Sequence, residues 1–315
     1  KRSSANPNVV SRNVRNKVLY GEKHMLAYPI SGSVTSVEAI TMNDLKSFYE
    51  NYFSPSVSRF HIVGNIDKEE VLTVLEDLES KWAVKEVSIP TYPLPEKRDK
   101  ASLYFVDIPN AKQSVIDIGY LSMARTDSDF FAATVMNYKL GGSFSGNVNL
   151  ILREEKGYTY GARTGFSGTK TPGTFSASSS VRTNTTYESV QIFKEEIEKY
   201  KNGITQEDLD FTKNALIKSN ARRFESQHSL LNMLQNISAY NLSSDYIAEE
   251  EQIIENMTLE QHKLLANKYL DVTEMGYLVV GDAATQFENF KNAGFDEVIL
   301  LDKDAKEIKV LDIKL

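Results

Sequence analysis

At 315 residues the chain is long enough for about two domains and a large buried core. With 41% apolar and 25% charged residues it has the composition of a soluble globular protein, which sets aside disorder, collagen-like repeats and disulfide scaffolds. A net charge of −7 argues against nucleic acid or an anionic membrane surface as partner, and zero Cys excludes disulfides, thiolate-held zinc, iron–sulfur clusters and a thiol nucleophile. No apolar run approaches the ~18 residues of a membrane span, so the chain reads as soluble, in a compartment (a bacterial cell envelope or the cytoplasm, for example) that the sequence leaves open. It starts at Lys1 with no signal pattern, and the expectation is that it begins inside a longer chain.

Taken in chain order, the first organised segment is half of a repeat. Residues 41–64, TMNDLKSFYENYFSPSVSRFHIVG, align without a gap with residues 258–281, TLEQHKLLANKYLDVTEMGYLVVG, at a constant offset of 217. Thr41 meets Thr258, Tyr52 meets Tyr269 and Gly64 meets Gly281. Each copy reads as a capping box (Thr41 to Asp44, Thr258 to Gln261), an amphipathic helix, a polar turn and an apolar strand. A helix–turn–strand unit can recur by chance; the alternative is a duplicated domain of somewhat over 200 residues.

Between the copies, VKEVSIPTYPLPEKRDK carries Pro90, Pro93 and Pro95, a density that favours an extended connector. This sets a division into residues 1–96 and 97–315. Roughly 160 residues separate the connector from Thr258, against only about 40 before Thr41, so the first copy is expected to be truncated by about 120 residues.

After the connector, strands are expected at 103–106 and 114–119 around the turn IPNAK, then a helix over 128–140 broken by GGSFSG and resumed by NVNLILREEK. Gly157 follows Lys156 as a helix stop. TYGARTGFSG and GTFSASSSV read as a hairpin with Pro172 and Gly173 in its turn. Helices follow at about 186–202, 205–242 (opening with Thr205 and Asp208 as a capping box), 245–255 and 258–269. The order implies an α+β fold, a mainly antiparallel sheet with helices packed on one face.

The densest cluster of unusual residues is LGGSFSGNVNLILREEKGYTYGA, residues 140–162. Its glycines fail the P-loop template, since no Lys-Ser/Thr follows, and read as a tight helix–helix turn. Arg153 near a helix end and Tyr160 seven residues on, at the start of a strand that would set Tyr158 and Tyr160 on one face, could both donate to a carbonyl oxygen gaining charge. Spacing alone leaves open a structural Arg153 paired with Glu154 or Glu155 beside a packed tyrosine. The acidic runs Glu195–Glu196 and Glu249–Glu251 read as solvated helix faces.

This segment resembles the signature of the second domain of pitrilysin/insulinase-type zinc peptidases, which include the mitochondrial processing peptidases. NPNVVSRNVRNKVLYGEKHMLAYPISGS resembles the later part of that family's first domain, with Met25 where Pro is usual. The resemblance implies a LuxS/MPP-like metallohydrolase fold, duplicated, and a peptide substrate whose carbonyl is held by Arg153 and Tyr160.

It also implies zinc in the complete enzyme, bound by an inverted His-x-x-Glu-His motif. This sequence has no such motif. Its histidines, His24 beside a loop, His61 in an expected strand, and His228 and His262 in expected helices, have no ligand spacing and read as polar packing or exposed groups. The expectation is therefore that no residue of this chain binds the metal and that a missing domain or partner chain carries it. A non-catalytic structural or peptide-binding subunit is the rival reading, and a homo-oligomer is possible.

Overall fold

The computed structural model describes residues 6–308. The chain forms two compact units, one of Lys1–Tyr28, Leu94–Ile217 and Ala248–Leu315, the other of Pro29–Pro93 and Lys218–Ile247.

The first unit is built on a six-stranded sheet of β1 (Ser102–Asp107), β2 (Gln113–Leu121), β3 (Thr159–Phe166), β4 (Thr174–Arg182), β5 (Gly276–Gly281) and β6 (Glu297–Leu301). Their order is β3-β4-β2-β5-β1-β6. The pairs β3–β4, β4–β2 and β2–β5 are antiparallel, and β5–β1 and β1–β6 are parallel. The α+β reading holds, with parallel pairing confined to one side of the sheet.

Period-2 alternation divides these strands between two faces. Leu103 and Phe105, Ile116 and Ile118, and Tyr277 and Val279 face the main core. That core is covered by α5 (Phe130–Asn137), α7 (Thr186–Tyr200), α11 (Leu259–Tyr269) and the turns around them, which contribute Met136, Phe193, Ile197 and Ala266. The intervening Val106, Val115, Leu278 and Val280 face the other way and pack on Val10 and Val14 of α1 (Pro7–Tyr20). So α1 covers the second face, in addition to the helices expected on one face.

On that second face Asp117 stands among apolar neighbours, and Arg15 of α1 reaches it at 2.9 Å. Burial pushes the Asp117 carboxyl up to about 6 against the opposing pull of the Arg15 guanidinium. In the main core, His262 Nε2 lies 3.1 Å from the Tyr200 hydroxyl and 3.2 Å from the Met136 carbonyl, and Tyr200 donates to the same carbonyl at 2.8 Å. Burial lowers the imidazole to about 4 and keeps it neutral.

Helix α8 (Gln206–Asn220) opens on the Thr205/Asp208 cap. The single helix expected over 205–242 is in fact two, since a tight turn at Ala221–Phe224 follows α8 and Ser226 then caps α9 (Gln227–Tyr240) from its side chain. Serine competes for backbone N–H groups and favours a fresh start over continuation. Helix α10 (Tyr246–Asn256) follows. Glu250 corrects the reading of its acidic run: the side chain is buried against Arg125 at 3.2 Å.

The second unit holds α2 (Val34–Ala39), α3 (Met42–Tyr52), α4 (Lys68–Lys81) and α9. The repeat is exact at its helices: α3 and α11 have the same length, their ends differ by 217 residues, and both start with reciprocal capping boxes, Thr41/Asp44 and Thr258/Gln261. The strands differ. Residues 276–281 form β5, bonded on both sides to β1 and β2, whereas residues 59–64 form no strand among the described residues. No described residue of the second unit is in a strand, and a single extended segment makes no ladder alone.

Candidate functional site

Residues 138–142 and 150–155 are wound more loosely than a regular helix. After α5 the chain makes a π-type turn at Tyr138–Gly142, crosses Ser143–Gly146, and resumes as α6 (Asn147–Asn149) running into a second π-type turn at Leu150–Glu155. Lys156 N–H bonds back to Ile151 and Tyr158 N–H to Leu152, and Gly157 takes φ 64°, which closes the turn as the Lys156–Gly157 stop implies. The glycines allow close approach, not phosphate binding: a Cβ on Gly141 would lie 2.6 Å from the Thr164 nitrogen, and one on Gly146 would lie 2.7 Å from the Gly141 Cα.

Arg153 lies on the second π-type turn. Its guanidinium stacks 4.4 Å above the Phe144 ring and its Nε is 3.4 Å from Glu154. The ion pair with Glu154 expected of a structural arginine is therefore present, on a side chain that is one-third exposed. Tyr160 stands on β3, one of the two edge strands of the sheet, and is 91% exposed. It is not a packed tyrosine.

The expected common face of Tyr158 and Tyr160 does not occur. Tyr158 packs against the main core and donates to Glu188 at 2.6 Å, while Tyr160 faces outward. A bulge between Thr159 and Ala162 breaks the alternation. The Thr159 hydroxyl holds it by donating to the Ser180 carbonyl at 2.7 Å and accepting from the Gly161 N–H at 3.0 Å.

Two asparagines that sequence reasoning did not single out tie this region together. Asn149 accepts from the Ala162 N–H at 3.0 Å and donates to the Phe144 carbonyl at 2.6 Å. Asn137 donates to the Thr164 carbonyl at 3.0 Å and accepts from the Thr164 hydroxyl at 2.6 Å. Their signal in the sequence was a polar residue with poor helix propensity inside each helical stretch flanking the glycines.

The histidines do not form a metal centre. His24 is buried, stacks on Tyr20 and accepts from the Leu26 N–H, and His262 is committed to the Tyr200–Met136 cluster. His228 is exposed on α9, and His61 is not in a strand, contrary to expectation. Among the described residues no three side chains of His, Cys, Asp or Glu come together, so the described residues offer no donor set that fits a zinc ion. No helix among the described residues is long and apolar enough to cross a membrane.

These elements make an α+β domain, a mixed six-stranded sheet with helices on both faces and the Arg153 turn packed against its β3 edge. The family model described as the peptidase M16 inactive domain matches residues 39–216, and the chain belongs to that family. An uncharacterized zinc protease of Streptomyces coelicolor is 25% identical over 221 residues, covering 69% of this chain and 48% of its own length. A probable inactive metalloprotease of Bacillus subtilis is 23% identical over 239 residues, covering 74% of this chain and 54% of its own length. The chain thus spans about half the length of these curated relatives. The crystal structure of a peptidase M16 inactive domain from Pseudomonas fluorescens superposes with a TM-score of 0.80 at 25% identity, covering 89% of this chain and 67% of that one.

Proposed function

We propose that this chain is the substrate-holding part of a zinc metalloendopeptidase, in which Arg153 and Tyr160 donate hydrogen bonds to a peptide carbonyl and to the oxyanion it becomes. The observation that carries the reading is the exposed Tyr160 hydroxyl on a strand edge braced against the turn that bears Arg153. Donors aimed at the oxygen stabilise the charge that develops on it, and one such donor contributes about 3 kcal/mol. Phe144 supports the guanidinium face while Glu154 engages only its Nε side. Zinc belongs to a different domain or partner chain in this reading, since the residues here do not fit it.

Residues 1–96 are read as the end of a first peptidase-like domain with its connector, and 97–315 as a second such domain. The matching capping boxes and helices at offset 217 support that reading. So does the apolar surface of residues 29–93, where Phe48, Phe53, Phe60 and Leu72 are exposed as core residues of a larger domain would be.

The rival is a non-catalytic subunit that binds peptide or serves as scaffold, and the inactive-domain description of the matching family favours keeping it. The test is turnover of a quenched fluorescent peptide by the complete protein. Tyr160→Phe and Arg153→Ala each lower kcat by about 10- to 1000-fold at unchanged zinc content. Full turnover in both variants removes the role assigned to the pair.

A further inference from the structure

The outward edge of β3 is held by side chains, and this has a bearing on how Tyr160 is aimed. On its inner side the strand pairs with β4, Ala162 opposite Ser179 and Thr164 opposite Ala177. The Ala162 N–H and the Thr164 carbonyl point the other way and meet Asn149 and Asn137. Both asparagines are almost wholly buried, at 2% and 3% exposure. An uncovered edge strand can shift register or accept a foreign strand. Here two successive outward positions are already occupied, and Gly141 closes against the Thr164 nitrogen between them.

Asn149 does more than satisfy a backbone group. Its Oδ1 holds the strand two residues beyond Tyr160, and its Nδ2 holds the carbonyl of Phe144, whose ring lies under the Arg153 guanidinium. Its own backbone leads directly into the turn that carries Arg153. One buried amide therefore links the strand of Tyr160, the ring supporting Arg153 and the turn bearing Arg153.

We propose that Asn149 is a positioning residue, setting the place of Tyr160 relative to Arg153, and that Asn137 secures the same strand edge beside it. The proposal rests on the reading that Arg153 and Tyr160 bind the substrate carbonyl. Donors must sit within a few tenths of an ångström of the oxygen they stabilise, so loosening the link acts on turnover more than on substrate affinity.

The test compares four variants of the complete protein by amide hydrogen exchange and by turnover of a quenched fluorescent peptide. Asn149→Ala is expected to speed exchange of the Ala162 amide at least tenfold and to lower kcat at least tenfold with KM within threefold. Asn149→Asp keeps the acceptor and is expected to hold Ala162 exchange within twofold of the parent and to recover part of the lost kcat. Thr258→Ala weakens a helix cap away from the edge and is expected to leave kcat unchanged, which separates positioning from general destabilisation. Tyr160→Phe is expected to lose turnover. If Tyr160→Phe loses turnover while Asn149→Ala keeps it, the positioning role is overturned and the carbonyl-binding reading stands. If Tyr160→Phe keeps full turnover, that reading falls, and unchanged Ala162 exchange in Asn149→Ala overturns the link as well.

Discussion

Spacing left Arg153 open between a structural ion pair with Glu154 or Glu155 and a substrate contact, and the resemblance to the peptidase signature is what marked it as a site residue. Its support was not legible, because the Phe144 ring lies under the guanidinium from across a turn wound with π geometry, and the Asn149 amide holds the Phe144 carbonyl, neither of which hydrophobic periodicity reveals. Two buried titratable groups make opposite contributions to stability. The His262 ring, lowered to about 4, binds fewer protons in the folded chain than in the unfolded one, so its contribution is full above the unfolded value of ~6.5 and is lost as pH falls toward 4. Asp117, raised to about 6, binds more protons when folded, so its contribution is present below the unfolded value of ~3.9 and is lost as pH rises through 6. Between pH 4 and 6 the two slopes oppose each other. Asp117→Asn is therefore expected to steepen the loss of stability on acidification, and His262→Gln to flatten it, in urea midpoints measured from pH 4.5 to 7. The same slope in both variants and the parent contradicts the assignment.

Among the elements, capping boxes and strand alternation could be read directly, because each depends on residues three or two positions apart. Thr41 and Thr258 both cap as their spacing implied, and Leu103/Phe105 and Tyr104/Val106 separate onto opposite faces of β1. The bulge that turns Tyr160 away from the Tyr158 side depends on Thr159 bonding to Ser180 across the hairpin, a contact the local pattern does not encode. The break after α8 and the burial of Glu250 against Arg125 are likewise set by distant partners. Gly141 gives an element-scale prediction. A Cβ there would meet the Thr164 nitrogen at 2.6 Å and Val148 Cγ2 at 2.7 Å, so Gly141→Ala must push β3 from the π-type turn. We expect a loss of about 1–3 kcal/mol in denaturant unfolding, the usual range for overpacking. An unchanged midpoint contradicts the close packing.

For the molecule as a whole, the repeat was visible from sequence and its helices match residue for residue, yet residues 59–64 take no part in a sheet while residues 276–281 lie at the centre of one. A strand is defined by its neighbours, and β5 has β1 and β2. The exposed apolar side chains of residues 29–93 predict that limited proteolysis of this 315-residue chain cuts within that stretch before it cuts β1 to β5. Mass spectrometry of the first fragments checks this, and initial cleavage inside the sheet contradicts it. A net charge of −7 argues against nucleic acid as partner and the four scattered histidines lack ligand spacing, which leaves the proposed pair Arg153 and Tyr160 as the central claim.

The most direct test of that pair is whether it recognises a carbonyl. Binding of a peptide to the complete protein is measured by calorimetry beside the same peptide with one carbonyl reduced to a methylene, in the parent and in Tyr160→Phe/Arg153→Ala. The parent is expected to bind the reduced peptide at least tenfold more weakly and the double variant to bind both alike. Equal discrimination by parent and variant contradicts the assignment of Arg153 and Tyr160 to the substrate carbonyl.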